Sequence, residues 1–146
     1  MALPQGIRPS PGQVLMCEFG PNPDQIIPPG IMKGPLAVKP EIYKQRQVIV
    51  INSTTALTTV VPLSTVAPRT PTKIHHKIAA GTYPFLDPND DSWVKGDLIT
   101  TVSNQRLDRP YVAGRRETVK ISSDDLKEIR KVVLHALAMS TLASNL

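Results

Sequence analysis

Two runs of mostly β-branched residues lie close together in the first half of the chain. Residues 48–51 form an uninterrupted run, Val-Ile-Val-Ile, and residues 58–63 form a second run of the same kind. Such runs are typical of strands that are buried on both faces. Six small and mostly polar residues separate them, which is short enough for a hairpin connection. The sequence therefore predicts a central antiparallel pair of strands.

The outer ends of this predicted hairpin carry polar side chains. Arg46 begins the first strand, and Ser64 and Thr65 end the second. Because the outer ends of a hairpin meet, one guanidinium and two hydroxyls would share one rim of the sheet, where they could hold a phosphate. The ordinary alternatives are a surface arginine paired with an acid and hydroxyls that cap a local turn.

Composition sets limits on the class of protein. The 146 residues are predicted to form one domain, 1–146, and its core must be aliphatic because aromatic residues make up only 4%. A net charge of +5 permits an acidic partner such as nucleic acid without establishing one. Cys17 is the only cysteine, which excludes an intrachain disulfide and fits a reducing compartment. No stretch approaches the ~20 apolar residues of a membrane span, so we expect a soluble, cytoplasmic protein that does not contact membranes.

The first half of the chain contains two segments rich in proline. Residues 1–12 are predicted to form an N-terminal arm, and residues 13–19 read as a first strand by their alternation. Residues 20–45 form a long loop before the central hairpin, stiffened by prolines. Loops of this length are often functional. Its position before Arg46 makes it either a lid or a plain connection.

The second half alternates in shorter segments, read as strands at 73–79, 93–102 and 115–121. In the strand 93–102, Lys95 and Asp97 are predicted to share one face, opposite to a core face that is formed by Val94, Leu98 and Val102. The pair could supply a general base and electrostatic stabilisation, or could be a plain ion pair.

A single helix is predicted over residues 122–143. Ser122 can cap its start, and Asp125 three residues later completes a capping-box pattern. Its apolar stripe is formed by Leu126, Ile129, Val133, Ala136, Leu137 and Ser140. Five or six short strands followed by one helix indicate a mainly β (α+β) fold, a small and strongly curved barrel-like sheet closed by a C-terminal helix.

Other chemistry-bearing residues give weaker signals. His75, His76 and the acids of residues 87–91 do not have a zinc-ligand spacing, so no metal site is predicted. Alternation makes His76 a satisfied core or interface histidine, and Cys17 lies on an apolar face where a core role is favoured over a nucleophile. The chain contains no nucleotide-binding glycine pattern, and no cofactor is expected.

Four segments together resemble the MazF/PemK toxins of bacterial toxin–antitoxin systems. Residues 12–19 are similar to the family's opening strand, which usually begins Gly-Asp-Ile/Val. Residues 46–52 are similar to the family's segment Arg-Pro-Val-Leu-Val-Val-Ser-Asn. Residues 61–65 resemble its Ala-Pro-Ile-Thr-Ser. Residues 95–107 resemble its Cys-Asp-Gln-Ile-Arg-Thr-Val-Asp and the Arg-Leu that follows. The ordered set is specific, although no single motif is.

The resemblance implies an SH3-like barrel of the CcdB/MazF/PemK type and a sequence-selective, metal-independent endoribonuclease toxin. It implies that Arg46, Ser64 and Asp97 are catalytic, through phosphorane stabilisation, phosphate binding and acceptance of the 2′-OH proton respectively. Contacts to RNA would come from Lys44, Gln45, Thr65 and Lys95. The implied partners are single-stranded RNA, a cognate antitoxin and a second copy of the chain.

The sequence also departs from the family pattern. Gln47 stands in place of the usual proline, and Leu98 and Thr100 stand in place of a glutamine and an arginine. These changes keep open a catalytically inactive module that binds RNA or protein. A same-fold toxin that binds and poisons a protein such as DNA gyrase is a further alternative, and a metal-dependent nuclease is the third.

Overall fold

The computed structural model of the protein describes residues 2–21 and 42–146. Most of the predicted loop at 20–45, with its proposed role as a lid, lies outside these residues. The described part is mainly β, as predicted, and its C-terminal end holds two α-helices where one was predicted. Neither α-helix in that part combines the length and apolar character needed to cross a bilayer.

Ten strands and two α-helices form within the described ranges. The strands are β1 Gln13–Glu18, β2 Gln45–Ser53, β3 Leu57–Ser64, β4 His75–Ile78, β5 Ser92–Lys95, β6 Thr100–Ser103, β7 Leu107–Asp108, β8 Tyr111–Val112, β9 Arg115–Arg116 and β10 Val119–Lys120. The helices are α1 Ser123–Ala136 and α2 Ser140–Ala143, and short 3-10 turns occupy Gly96–Leu98 and Asn104–Arg106. The main sheet has the order β10-β1-β2-β3-β5-β4, and β8 and β9 form a separate two-stranded ribbon.

The central antiparallel pair is confirmed as β2 and β3. Their register pairs Val48 with Pro62 and Val50 with Val60, and a bulge follows Val50. These strands are fully buried at their centres. The β-branched runs therefore form the middle of the sheet, as their composition predicts.

The segment from β6 to β7 closes one side of the sheet. β6 pairs with the outer edge of β3, whereas β7, only three residues later, pairs with the outer edge of β1. The chain therefore crosses from one edge of the three-stranded centre to the other. This crossing gives the sheet the strong curvature expected of a small barrel.

Two apolar clusters lie on the two faces of this sheet. One cluster is enclosed by the curved strands, and its members include Leu15, Cys17, Val48, Val50, Val60, Val102 and Leu107. The other lies under α1, and its members include Val14, Ile49, Val61, Leu63, Val94, Ile129 and Val133. The N-terminal arm is packed on the sheet, since Leu3 is buried and its N–H donates to the Leu107 carbonyl at 2.8 Å.

The predicted continuous strand over 93–102 is wrong. The chain leaves β5 at Lys95, turns through Gly96–Leu98 and resumes as β6. Glycine at this point allows the turn to pack closely against α1, since a Cβ added to Gly96 would lie 2.6 Å from the Val132 Cγ1. Consequently Val94 and Val102 join different clusters and do not share one core face.

Helix α1 begins as predicted, with the Ser122 hydroxyl accepting from the Asp125 N–H at 3.1 Å. The reciprocal half of the capping box is absent from the described contacts, because the Ser122 N–H donates instead to the Tyr83 hydroxyl at 2.9 Å. The Asp125 carboxylate accepts from Tyr83 and lies 3.3 Å from His76 Nε2. His76 is therefore a satisfied, half-buried histidine, as predicted.

The end of α1 and the weak strand before it differ from the sequence reading. The helix predicted to reach residue 143 stops at Ala136, and Ala138 has a φ of 60° in the left-handed region before α2 begins. Leu137 is exposed, whereas Val132, absent from the predicted stripe, is buried. The strand predicted at 115–121 consists of β9 and β10, which pair with different partners.

Candidate functional site

A cleft opens where β2 and β3 separate. The last paired residues of these strands are Val48 and Pro62, although β2 continues to Gln45 and β3 to Ser64. Proline has no N–H to extend the ladder. Beyond this point β2 remains paired with β1, and β3 turns to pair with β5. The two strands diverge, and a cavity of about 400 Å³ lies between their ends.

The cleft gathers most of the predicted site residues. It is lined by Ile42, Tyr43, Lys44, Arg46, Pro62, Leu63, Ser64, Thr65, Val66, Lys95 and Leu98. Side chains two residues apart on a strand share a face, so Arg46 lies on the face of Val48, and Ser64 on that of Pro62. Val48 and Pro62 are cross-strand partners. Arg46 and Ser64 therefore face the same side of the sheet, beyond the enclosed apolar cluster.

Tyr43 positions the side chain of Arg46. Its Nε donates to the Tyr43 carbonyl at 3.1 Å, and its guanidinium carbon lies 5.6 Å from the centre of the Tyr43 ring. The side chain is half-buried, and within the part of the chain that the structure describes it forms no ion pair. A positioned guanidinium that has no acidic partner among the described residues can bind an anion through its two terminal nitrogens.

The two hydroxyls and the lysines occupy different positions around the cleft. Ser64 is half-buried and its Oγ accepts from the Val66 N–H at 3.1 Å, which leaves its own O–H free to donate. Thr65 is exposed. Lys95 ends β5 on the wall of the cleft, while Lys44 is exposed and has a φ of 59°. The Lys44 carbonyl accepts from the Phe19 N–H at 3.0 Å, which brings the ends of the segment 20–45 together.

Two predicted site residues do not line the cleft: Gln45 lines a smaller cavity beside it, and Asp97 lines neither cavity. The break after Lys95 places it in the 3-10 turn, where its side chain is exposed and does not line the cavity. The expectation that Lys95 and Asp97 share a strand face is wrong, because the two residues do not belong to one strand. The next residue, Leu98, does line the cleft.

A second, smaller cavity of about 280 Å³ lies at the same end of the sheet. It shares Arg46, Ser64 and Thr65 with the cleft and adds Gln45, Gln47, Met16 and Ser92. The Gln47 amide nitrogen donates to the Phe85 carbonyl at 2.6 Å. The side chain that stands in place of the family's proline therefore ties the loop 79–91 to the sheet beside this cavity.

The residues assigned weaker roles are consistent with structural positions. Burial raises the pKa of the Cys17 thiol to about 12, against the attraction of Arg106, so the thiol is a poor nucleophile. Among the described residues, no group of three or more His, Cys, Asp or Glu side chains is arranged to hold a metal ion. The main-chain N–H groups of Asn89 and Asp90 donate hydrogen bonds to the Asp87 carboxylate, which holds it in a tight turn. These hydrogen bonds lower the pKa of Asp87.

Sequence reasoning did not single out two aromatic residues, one that lines the cleft and one that pairs with a residue of the cleft. Tyr43 supports the Arg46 guanidinium and lines the cleft. Trp93 is the cross-strand partner of Ser64 in β5. For Trp93 a signal was available, because it alternates with Lys95 and so belongs to the polar face of its strand.

Comparisons with known proteins concern the family and the fold of the chain. The family model of the PemK-like, MazF-like toxins of type II toxin–antitoxin systems matches residues 11–137. An uncharacterized protein of Haemophilus influenzae is 26% identical over 144 residues, covering 92% of this chain and 94% of the relative. Among solved structures, a mycobacterial endoribonuclease in complex with its cognate antitoxin has a similar fold, with a TM-score of 0.56 and 17% identity over 90% of this chain and 96% of that one. This likeness confirms the predicted fold class.

Proposed function

Because the chain belongs to the PemK-like, MazF-like toxins of type II toxin–antitoxin systems, we propose that it is a sequence-selective endoribonuclease that cleaves single-stranded RNA without a metal ion. Cleavage of messenger RNA would inhibit translation and growth. The observation that carries this proposal is the convergence of Arg46, Ser64, Thr65 and Lys95 on one open cleft.

The proposed reaction uses a nucleophile that RNA itself supplies. The 2′-OH attacks the adjacent phosphorus, the P–O2′ bond forms, and the P–O5′ bond breaks to leave a 2′,3′-cyclic phosphate and a 5′-OH. The protein then has to orient the strand, accept the 2′-OH proton, supply a proton to the 5′ oxygen and stabilise the growing charge. Arg46 would stabilise the phosphorane, and Ser64 would donate to a phosphate oxygen.

Asp97 remains the proposed acceptor of the 2′-OH proton on the strength of the family resemblance. Asp97 is exposed and directly precedes Leu98, which lines the cleft. The geometry supports Arg46 and Ser64 more directly, because their side chains line the cleft itself. Asp97→Asn tests whether Asp97 accepts the proton. A loss of cleavage rate as large as that of Arg46→Ala supports this assignment, and an unchanged cleavage rate contradicts it.

The remaining polar residues would bind the RNA backbone. Lys44, Thr65 and Lys95 line the cleft, and Gln45 lines the smaller cavity that joins it. Cationic contacts to phosphates release counterions, so RNA affinity should fall as salt rises. Affinity that does not depend on salt would contradict a phosphate-lined path through the cleft.

We also propose partners. The mycobacterial structure is of an endoribonuclease with its antitoxin, and by analogy a cognate antitoxin would occupy the cleft of this protein and block RNA. We propose that the protein acts in the cytoplasm as a homodimer. Light scattering on the purified protein measures the oligomeric state, and RNA competition against the product of an adjacent gene tests the antitoxin.

The decisive experiment compares three arginine variants in cleavage of a long single-stranded RNA with excess chelator. Losing one charge-stabilising donor typically costs about 10²–10³ in rate, so Arg46→Ala should lose about that much. Arg46→Lys keeps the charge and loses the planar fork, so it should recover only part of the activity. Arg130→Ala, at an exposed position on α1, is the matched control and should cleave like the wild type.

The products and the chelator separate this proposal from its rivals. Mass analysis should find 2′,3′-cyclic phosphate ends. Activity that disappears in chelator would support a metal-dependent nuclease instead. Growth inhibition with intact cellular RNA would favour a toxin that binds a protein target. Wild-type cleavage by Arg46→Ala would refute the assignment of the site.

A further inference from the structure

We propose that Trp93 is a base-stacking platform that holds the nucleobase next to the scissile phosphate. The inference rests on the proposed ribonuclease function and adds a binding site for a base, which neither the family match nor the polar residues of the cleft assign. It is carried by the position of Trp93 in the sheet, by its lack of a core role and by the charges around it.

Trp93 lies on the same face of the sheet as the phosphate-binding side chains. Ser64 and Trp93 are cross-strand partners, and so are Trp93 and Lys77 of the edge strand β4. Directly opposed residues place their side chains on one face, about 5 Å apart. A row therefore runs across the sheet from the β2 side of the cleft through Ser64 and Trp93 to Lys77.

The indole of Trp93 does not serve the hydrophobic core. It is half-buried, and it belongs to neither apolar cluster of the described residues, although its neighbours in the chain, Ser92 and Val94, are both buried. Within the described ranges its N–H has no hydrogen-bond partner. The single tryptophan of a chain with 4% aromatic residues is therefore partly exposed, next to Ser64 of the cleft. A large partly exposed ring in such a place is typical of a contact residue.

The surroundings of Trp93 are cationic. Lys77 lies opposite it on β4 and is exposed, and Lys95 lies two residues further along β5 on the same face. Neither lysine forms an ion pair with a carboxylate in the described part of the chain. An aromatic ring flanked by unpaired lysines is the arrangement by which proteins hold single-stranded nucleic acid, with stacking for the base and cations for the phosphates.

The chain offers a direct readout, because Trp93 is its only tryptophan and therefore its only source of indole fluorescence. The probe is a mixed-sequence 2′-O-methyl RNA of about 12 nucleotides, which cannot be cleaved since it lacks the free 2′-OH. An abasic phosphodiester strand of equal length carries the same charge without bases. Stacking predicts that the 2′-O-methyl RNA quenches the fluorescence and that the abasic strand does not.

Variants of Trp93 test the stacking site by their affinity for the 2′-O-methyl strand. Stacking on an aromatic ring is worth about 1–3 kcal/mol per base, so Trp93→Leu should weaken binding of the 2′-O-methyl strand roughly 5- to 150-fold. Trp93→Phe should retain most of the affinity. Tyr111→Leu is the matched control, because Tyr111 is an exposed aromatic residue on the separate ribbon of β8 and β9. The melting temperature of each variant shows whether it is folded.

The outcomes of the two proposals can be told apart. Any of three results would overturn the stacking site. These are unchanged fluorescence with saturating 2′-O-methyl RNA, equal quenching by the abasic strand, and equal losses of affinity in Trp93→Leu and Tyr111→Leu. Cleavage that still depends on Arg46 would show that the ribonuclease function survives that failure. Quenching without any cleavage by the wild type would support the base site and refute the enzyme.

Discussion

Substitution of Gly96 by alanine should destabilise the protein and also damage its cleft. The added Cβ would lie 2.6 Å from Val132 Cγ1, 3.0 Å from the Ile74 carbonyl oxygen and 3.1 Å from the Val132 carbonyl oxygen. Carbon atoms pack best at about 3.5–4.0 Å, so the Val132 methyl would have to retreat by about 1 Å. The two carbonyl oxygens belong to the main chain and cannot rotate away.

The expected cost of Gly96→Ala follows from this geometry. Overpacking of a well-packed site costs about 1–3 kcal/mol, which for a chain of this length corresponds to a fall in melting temperature of roughly 3–10 °C. Lys95 and Leu98, on either side of Gly96, line the cleft, so cleavage by the folded variant should fall as well. Thermal and urea unfolding followed by circular dichroism measure the first effect, and RNA cleavage well below the melting temperature measures the second.

A double-mutant cycle with Val132→Ala tests the cause. Because Val132 Cγ1 is the nearest atom, Gly96→Ala should cost at least about 0.5 kcal/mol less in the Val132→Ala background than in the wild type. The rescue should be partial, since both carbonyl contacts remain. The packing argument would be refuted if Gly96→Ala had the same melting temperature as the wild type. It would also be refuted if the double-mutant cycle gave no coupling energy between residues 96 and 132.

Three further predictions concern groups away from the cleft. Tyr83→Phe removes the acceptor of the Ser122 N–H and the donor to Asp125, so it should lower the free energy of unfolding by about 1 kcal/mol in urea titrations. Burial raises the pKa of Cys17 to about 12. The stability that the neutral thiol contributes is therefore complete below the usual thiol pKa and is lost as pH rises from about 9 towards 12. The free energy of unfolding of Cys17→Ala should fall less steeply with pH in this alkaline range. Main-chain N–H groups lower the pKa of Asp87. The stability that its carboxylate contributes is therefore present above the usual carboxyl pKa and is lost as pH falls through the pKa in the folded protein. Asp87→Asn should make the loss of stability at acid pH less steep, and an unchanged acid dependence contradicts this.

The parts of the fold that depend on local pattern could be predicted from the sequence. The central hairpin follows from two β-branched runs and a short polar connection, and the start of α1 follows from Ser122 and the acids after it. These signals act between residues that are near in the chain. The same reasoning brought Arg46, Ser64 and Thr65 to one rim, because hairpin geometry alone determines which ends meet.

The parts that failed depend on contacts between distant residues. The turn at Gly96 packs closely against α1, some 35 residues later, and alternation in 93–102 carries no sign of that contact. The shared strand face predicted for Lys95 and Asp97 depended on that unbroken strand, and the turn removes it. Similarly, the Tyr83 hydroxyl takes the capping role expected of Asp125, and no spacing rule connects residues 83 and 122.

The separation of β2 and β3 beyond Pro62 has a consequence for how a strand of RNA would arrive. Beyond Val48 and Pro62, β2 stays paired with β1 and β3 pairs with β5, so the gap is part of the strand pairing itself. An incoming ligand breaks no main-chain hydrogen bond to enter it. Association should therefore resemble docking onto a rigid surface, with rates set mainly by charge attraction and diffusion and with little dependence on local unfolding.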